Sequence, residues 1–290
     1  MAIARDSTAA AFRRPGNPPV IILRPAFTGE IYKLKDLWAY RELFWLLVWR
    51  LVAVRYKETV VGIAWAVIQP FSLMIVFTVF FGLLARVPSD GVPYALFVYS
   101  GLLMWQFVSQ AITQGGMAVV NNAHIVTKVY FPRVLLPAAA VCSAIFDFIV
   151  ACPALVALLA FYGIWPSWWG LLLFPLALVI SAVLALGFAL WFSTLNVFYR
   201  DVNYILPFLM QLWMFSSPIV YPLSLVPAQW QPLYAINPMV SIVQACRWAF
   251  AGGSHISPKL MTISAVIAVA VLVSGFRFFR RREAIFSDII

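Results

Sequence analysis

The stretch Val134–Tyr162, VLLPAAAVCSAIFDFIVACPALVALLAFY, decides the fold class. Over its whole length it carries one charge, Asp147. An α-helix needs roughly 20 apolar residues to cross the hydrocarbon core of a bilayer. A helix on the surface of a soluble protein would show a polar stripe. A transmembrane β-strand would alternate apolar and polar residues over about ten positions. This stretch does neither, so it reads as a membrane-spanning helix.

Working outward, five more apolar runs have the same character: Val60–Leu84, Pro93–Thr113, Trp169–Phe192, Ile205–Val220 and Leu260–Phe279. The fifth in chain order, Ile205–Val220, is the shortest. Pro70 and Pro207 interrupt the first and the fifth, each in a Pro-Phe pair. The whole composition agrees. Of 290 residues, 64% are hydrophobic and 10% charged, against roughly 45–50% and about 25% in soluble chains. Too few charges remain to cover a soluble globule, which excludes a soluble enzyme. The expected fold is an all-α membrane protein with six transmembrane helices.

The net charge of +10 then points to anionic headgroups and topology signals rather than nucleic acid. With the N-terminus in the cytoplasm, seventeen of the twenty Lys and Arg residues fall inside. Only Arg86, Arg247 and Lys259 fall outside. Both termini are therefore expected in the cytoplasm, with six spans between them.

The flanks differ in character. Residues 1–29 hold Pro15, Pro18, Pro19 and Pro25 and read as a flexible cytoplasmic arm with no signal peptide. Residues 30–58 mix Trp38, Trp45 and Trp49 with Arg41, Arg50, Arg55 and Lys57, which suits an interfacial helix. At 100° per residue Arg41 and Arg50 project to opposite faces, so one of them is expected to face protein. Residues 59–280 form the spanning domain and 281–290 a cytoplasmic tail.

Chemistry-bearing motifs are scarce. Cys142, Cys152 and Cys246 have no paired spacing and lie far from His124 and His255, so neither a metal site nor a disulfide framework is expected. No Gly-Lys dipeptide occurs, hence no phosphate-binding P-loop. The chain reads as a conduit that something else must power, with no cofactor of its own.

Three segments can carry mechanism. Asn121–Arg133 is polar-apolar, is expected in the cytoplasm and is ended by Pro132. It is either a solvated loop or a short helix along the membrane that offers Ile125, Val129, Tyr130 and Phe131 to a soluble partner. Asn196–Tyr204 contains Tyr199, Arg200 and Asp201; the two charges either neutralise each other or latch the turn to other cytoplasmic parts. Tyr221–Pro258 is long, proline-rich and apolar. Within it Asn237 suits an N-cap, Pro238 the first helical position and Gly252 the stop, giving a helix too short to cross a bilayer. Ser241, Gln244 and Arg247 form its polar stripe, and the segment reads as a re-entrant helical hairpin or as a flat interfacial anchor.

Asp147 is the one acid well inside a span. Placing a carboxylate at mid-bilayer costs roughly 2.5–3.5 kcal/mol, so it should face the bundle or water. No second intramembrane acid and no basic residue at matching depth accompany it, which argues against an ion-coupled relay. Among the span aromatics, Trp65, Trp105 and Trp213 serve packing or line a conduit. Gln69, Gln106 and Gln211 suit hydroxyl groups, and with Asp147 they complete a set of conduit candidates fitted to a carbohydrate.

Five motifs carry a family resemblance: Arg55-Tyr56-Lys57-Glu58 leading into Gly62–Pro70, Lys128–Arg133, Leu195–Val202, Ser217–Pro222 and Asn237-Pro238-Met239. In order and spacing the chain resembles, from about residue 38 to 280, the permeases of ABC-type exporters of O-antigen, capsular polysaccharide and teichoic acid. The resemblance implies a homodimer in the bacterial inner membrane with two copies of a separate ATPase, which binds the ATP and Mg. It implies that Asn121, His124, Ile125, Lys128, Val129, Tyr130, Phe131 and the adjoining Arg133 form a coupling helix seated in that ATPase. It further implies an external gate holding Trp230, Tyr234, Ser241, Gln244 and Arg247, and a lipid-linked polysaccharide as cargo. Two other classes compete. An ion-coupled transporter of a smaller glycolipid or solute needs more titratable groups. A membrane glycosyltransferase needs a charged catalytic cluster that the chain lacks.

Overall fold

The computed structural model describes residues 38–57, 61–166, 168–227, 229–251 and 258–290. The arm at 1–29, the start of the interfacial segment and the stop expected at Gly252 lie outside the described residues. Among those residues every regular element is helical, as the apolar runs require. In chain order these are α1 (Arg41–Lys57), α2 (Trp65–Phe77, continued by π-helical Thr78–Leu84), α3 (Tyr94–Asn121), α4 (Ala123–Lys128) and α5 (Leu135–Tyr162). Then come α6 (Trp168–Phe198), α7 (Val202–Phe215), α8 (Gln231–Tyr234), α9 (Pro238–Ala251), α10 (Pro258–Arg282) and α11 (Phe286–Ile289).

Among the described residues five stretches are long and apolar enough to cross a membrane: Gly62–Leu84, Tyr94–Asn121, Leu135–Tyr162, Trp168–Phe198 and Pro258–Ile289. α7, in the place of the expected fifth span, has 14 residues. It stops at Phe215 instead of reaching Val220. Ser217 Oγ donates to Trp213 O at 2.8 Å and Ser216 Oγ to Leu212 O at 2.9 Å, so hydroxyls satisfy the last turn. Pro218 then has no N–H to continue it.

α3 is the centre of the bundle. Of its apolar window 78% is buried, against 17% for Gly62–Leu84. It packs on α2, α5, α6 and α9. It also continues past Thr113, the expected end, to Asn121. Gly115 and Gly116 do not break it; they let α6 and α7 approach. A Cβ on Gly115 would lie 2.5 Å from that of Ala189, and one on Gly116 would lie 2.9 Å from Leu206 Cδ2. The same device joins α6 to α10, where a Cβ on Gly187 would meet Leu272 N at 2.6 Å and one on Gly275 would strike Gly187 O. In lipid, where apolar surface gains nothing by hiding, such backbone contact is what holds helices together. α5 ends where expected, with Gly163 at φ 68°, a left-handed cap only glycine adopts freely.

α1 lies against α5. Its buried face is Leu47, Val48 and Val52, while Trp45 and Trp49 are exposed. Arg41 and Arg50, one of which was expected to face protein, are both exposed. The basic residue turned inward is Arg55, one helical face along from Val48 and Val52.

Candidate functional site

α9 begins as its sequence dictates. Asn237 Oδ1 accepts the Met239 N–H at 3.0 Å, an N-cap bond, with Pro238 at the first helical position. Asn237 also joins neighbours: Oδ1 accepts from Trp213 Nε1 at 2.9 Å, and Nδ2 donates to Ser217 Oγ at 3.0 Å. The stripe on this helix turns into the protein. Ser241 is buried with its hydroxyl 2.5 Å from that of Ser264 on α10. Arg247 is 7% exposed. It donates from Nε to Phe97 O (3.2 Å) and from Nη2 to Ile219 O (2.6 Å), and its guanidinium sits 3.5 Å over the Phe97 ring. Two carbonyls and a π-face thus replace the water this cation gave up. Gln244 is half-buried. Trp230 is exposed beside α8, and the Tyr234 and Tyr221 hydroxyls are 2.6 Å apart.

Asp147 lies where several polar side chains converge. Its carboxylate, 6% exposed, accepts from Arg55 Nη1, the Tyr56 hydroxyl and Gln110 Nε2, the last at 2.6 Å. Arg55 Nη2 also donates to Gln114 Oε1. The sequence placed no cation at the depth of Asp147. The cation comes instead from outside the spans, 92 residues away, because α1 packs along α5 and brings its last turn to the carboxylate. Burial lowers the Arg55 guanidinium from its ordinary value, with Tyr56 acting against it. Burial raises the Tyr56 phenol, with Arg55 acting against it.

This cluster forms the wall of a cavity of about 250 Å³ between α1, α2, α3 and α5. Trp65, Gln69, Gln106 and Asp147, four of the seven conduit candidates, line it together with Arg55, Tyr56 and Gln110. The other three do not join them. Trp105 is buried edge-on against Trp213, with centroids 5.7 Å apart, and Gln211 is exposed on α7. Arg55 and Tyr56 were missed as site residues. Their only signal was membership of the Arg55–Glu58 motif.

Between α3 and α5 in the chain, α4 forms, as the short-helix alternative required. His124, Lys128, Val129 and Tyr130 are exposed, Tyr130 by 63%, and Ile125 is half-buried. Phe131 is 3% exposed and belongs to the core, not to an outward surface. Arg133 is half-buried and Asn121 exposed. Tyr199, Arg200 and Asp201 are exposed, and neither charge makes an ion pair among the described residues. Asn196 holds this turn instead: its Nδ2 donates to Asn203 Oδ1 at 3.0 Å and to Gly116 O at 3.3 Å.

The chain is similar to known proteins. Residues 42–251 match the family described as ABC-2 type transporter. An O-antigen export system permease protein RfbA of Myxococcus xanthus is 31% identical over 86% of this chain and 96% of its own. A Klebsiella pneumoniae protein of the same name is 28% identical over 82% and 90%. The polysialic acid transport protein KpsM of Escherichia coli is 21% identical over 81% and 91%. A helical, multi-pass bundle matched to this family over most of its length, and to a relative above 30% identity over nearly all of that relative, belongs to the ABC-2 type transporter family.

Proposed function

We propose that this chain is the membrane permease of an ATP-driven exporter that moves a lipid-linked polysaccharide across the bacterial cytoplasmic membrane. In this reading it works as a homodimer with two copies of a separate ATPase, which binds ATP and Mg²⁺, and both termini lie in the cytoplasm. The carrying observation is the cavity at Asp147. An indole and a phenol (Trp65, Tyr56) stand beside three carboxamides (Gln69, Gln106, Gln110), with the charges of Arg55 and Asp147 paired. Aromatic faces suit the CH faces of sugar rings, and carboxamides both donate to and accept from hydroxyls. The relatives named for O-antigen and polysialic acid transport support the same cargo.

The arrangement disfavours ion coupling. A proton or sodium carrier needs a carboxylate free to change partners, and that of Asp147 is engaged by a cation and two neutral donors. The apolar surfaces of α2 and α7, including Phe71, Ile75, Phe208 and Leu212, are exposed in the single chain. In the proposed homodimer a second copy would cover part of these surfaces. α4, with Val129 and Tyr130 outward, supports a seat in the ATPase.

The test is co-expression with a candidate nucleotide-binding chain, followed by ATPase assay of the purified complex with added lipid-linked glycan. Stimulation by the glycan, weakened by Trp65→Ala and Gln69→Ala, is expected. ATP turnover by the permease alone, or export that collapses with the proton or sodium gradient while ATP persists, overturns the proposal.

A further inference from the structure

The C-terminal segment was expected to be a plain cytoplasmic tail. Its contacts are those of a working part. Glu283, directly after α10, is 8% exposed. Its Oε1 accepts the backbone N–H of Arg133 at 2.8 Å, and its Oε2 pairs with Arg280 at 3.3 Å. Arg133 Nη1 donates in return to the Glu283 carbonyl. These bonds connect positions 150 residues apart.

The location explains their use. Arg133 stands between α4 and α5, and α5 has Val134 at its N-cap, which offers no side-chain acceptor. The start of a helix carries partial positive charge. Glu283 brings a carboxylate to that approach from the far end of the chain. Three residues on, Phe286 is fully buried. It meets Phe279 of α10 edge-on at 5.2 Å and Phe198, the last residue of α6, at 6.4 Å. Phe286 and Phe279 belong to one buried cluster with Val126 of α4 and Phe131, and Phe198 packs against it. α11 packs on α4 and on α6. Residues 283–290 therefore fasten α4, the start of α5, the end of α6 and α10 to one another.

We infer that Glu283 and Phe286 are positioning residues that hold α4 in the pose in which it receives the ATPase and that carry its displacement into α6 and α10. This rests on the reading of α4 as the ATPase seat. A force applied at the exposed Val129 and Tyr130 reaches α5 directly through the chain. It reaches α10 most directly through this clasp, beside the longer route through α3 and α6, on which α10 packs.

Two measurements separate the clasp from the seat. The first is amide hydrogen exchange on the purified permease in micelles, without any ATPase. Glu283→Ala and Phe286→Ala should speed exchange in 123–133 roughly tenfold or more, the scale of losing a hydrogen bond to a charged group. Exchange in the middle of α3 should not change. Glu283→Gln keeps an acceptor for the Arg133 N–H and should restore most of the protection. The second is association with the partner ATPase, read beside Tyr130→Ser. Glu283→Ala should weaken association roughly tenfold, with Glu283→Gln between it and the native chain. Unchanged exchange in 123–133, or acceleration spread equally through the bundle, overturns the clasp. Faster local exchange with unchanged association, while Tyr130→Ser weakens it, overturns the positioning role. If Tyr130→Ser also leaves association unchanged, the seat itself is wrong and the positioning role falls with it.

Discussion

The pair of Arg55 and Asp147 should behave as one energetic unit. Arg55→Met keeps the apolar stem of the side chain but removes the guanidinium. Asp147, at 6% exposure, then keeps two neutral donors, Tyr56 and Gln110, and no cation. Removing one member of a fully buried ion pair costs 3–5 kcal/mol, about. Here the Arg55 side chain is 25% exposed and neutral donors remain, so about 2–3 kcal/mol is expected for Arg55→Met. Asp147→Asn strands the guanidinium at the edge of the cavity, where water and Gln114 reach it, and should cost less. The double variant has no charge left to strand. Its cost should fall short of the sum of the single costs by at least about 1.5 kcal/mol. The assay is unfolding in mixed micelles by a denaturing detergent, followed by tryptophan fluorescence, on all four proteins. Additivity within about 0.5 kcal/mol would refute the coupling and leave α1 held by Leu47, Val48 and Val52 alone.

Phe131 and Tyr130 are neighbours with opposite exposure, so their substitutions should part. Phe131→Ala should destabilise the permease by about 3–5 kcal/mol, seen as a lower unfolding midpoint, whereas Tyr130→Ser should leave the midpoint in place and reduce ATPase co-purification. Gly275→Ala drives a methyl into the backbone of Gly187 and should cost about 1–3 kcal/mol, measured in the same micelle unfolding. Asn237→Ala removes an N-cap bond and the partners of Trp213 and Ser217. It should cost about 1–3 kcal/mol and blue-shift or broaden the tryptophan emission as Trp213 loses its hydrogen bond.

Much of the fold was legible because bilayer thickness converts apolar run length directly into helices. Val134–Tyr162 matched α5 within a residue, and its Gly163 stop was local chemistry. Asn237-Pro238 announced α9 for the same reason. α3 and α6 run on past their expected ends, to Asn121 and Phe198, and α7 starts earlier and stops sooner than expected, at Val202 and Phe215. Gly115 and Gly116 look like breakers until Ala189 and Leu206 are seen against them, and Ser216-Ser217-Pro218 ends a helix inside a stretch that hydropathy alone continues. The partners of Ser241 and Arg247, namely Ser264 and the carbonyls of Phe97 and Ile219, come from distant segments that the polar stripe alone does not reveal.

By itself, then, the sequence determined that this chain is a helical membrane protein, where most helices start and stop, and that no nucleotide motif lies within it. These depend on solvent preference and on neighbours a few residues apart. Only the tertiary structure decided that Asp147 is paired, that Trp65 and Gln69 share a cavity with it while Trp105 and Trp213 do not, and that the chain's last residues clasp α4. Each of these depends on which helix faces which. In lipid that choice is made by glycine contacts and buried hydrogen bonds between residues far apart in the chain, and no local pattern records it.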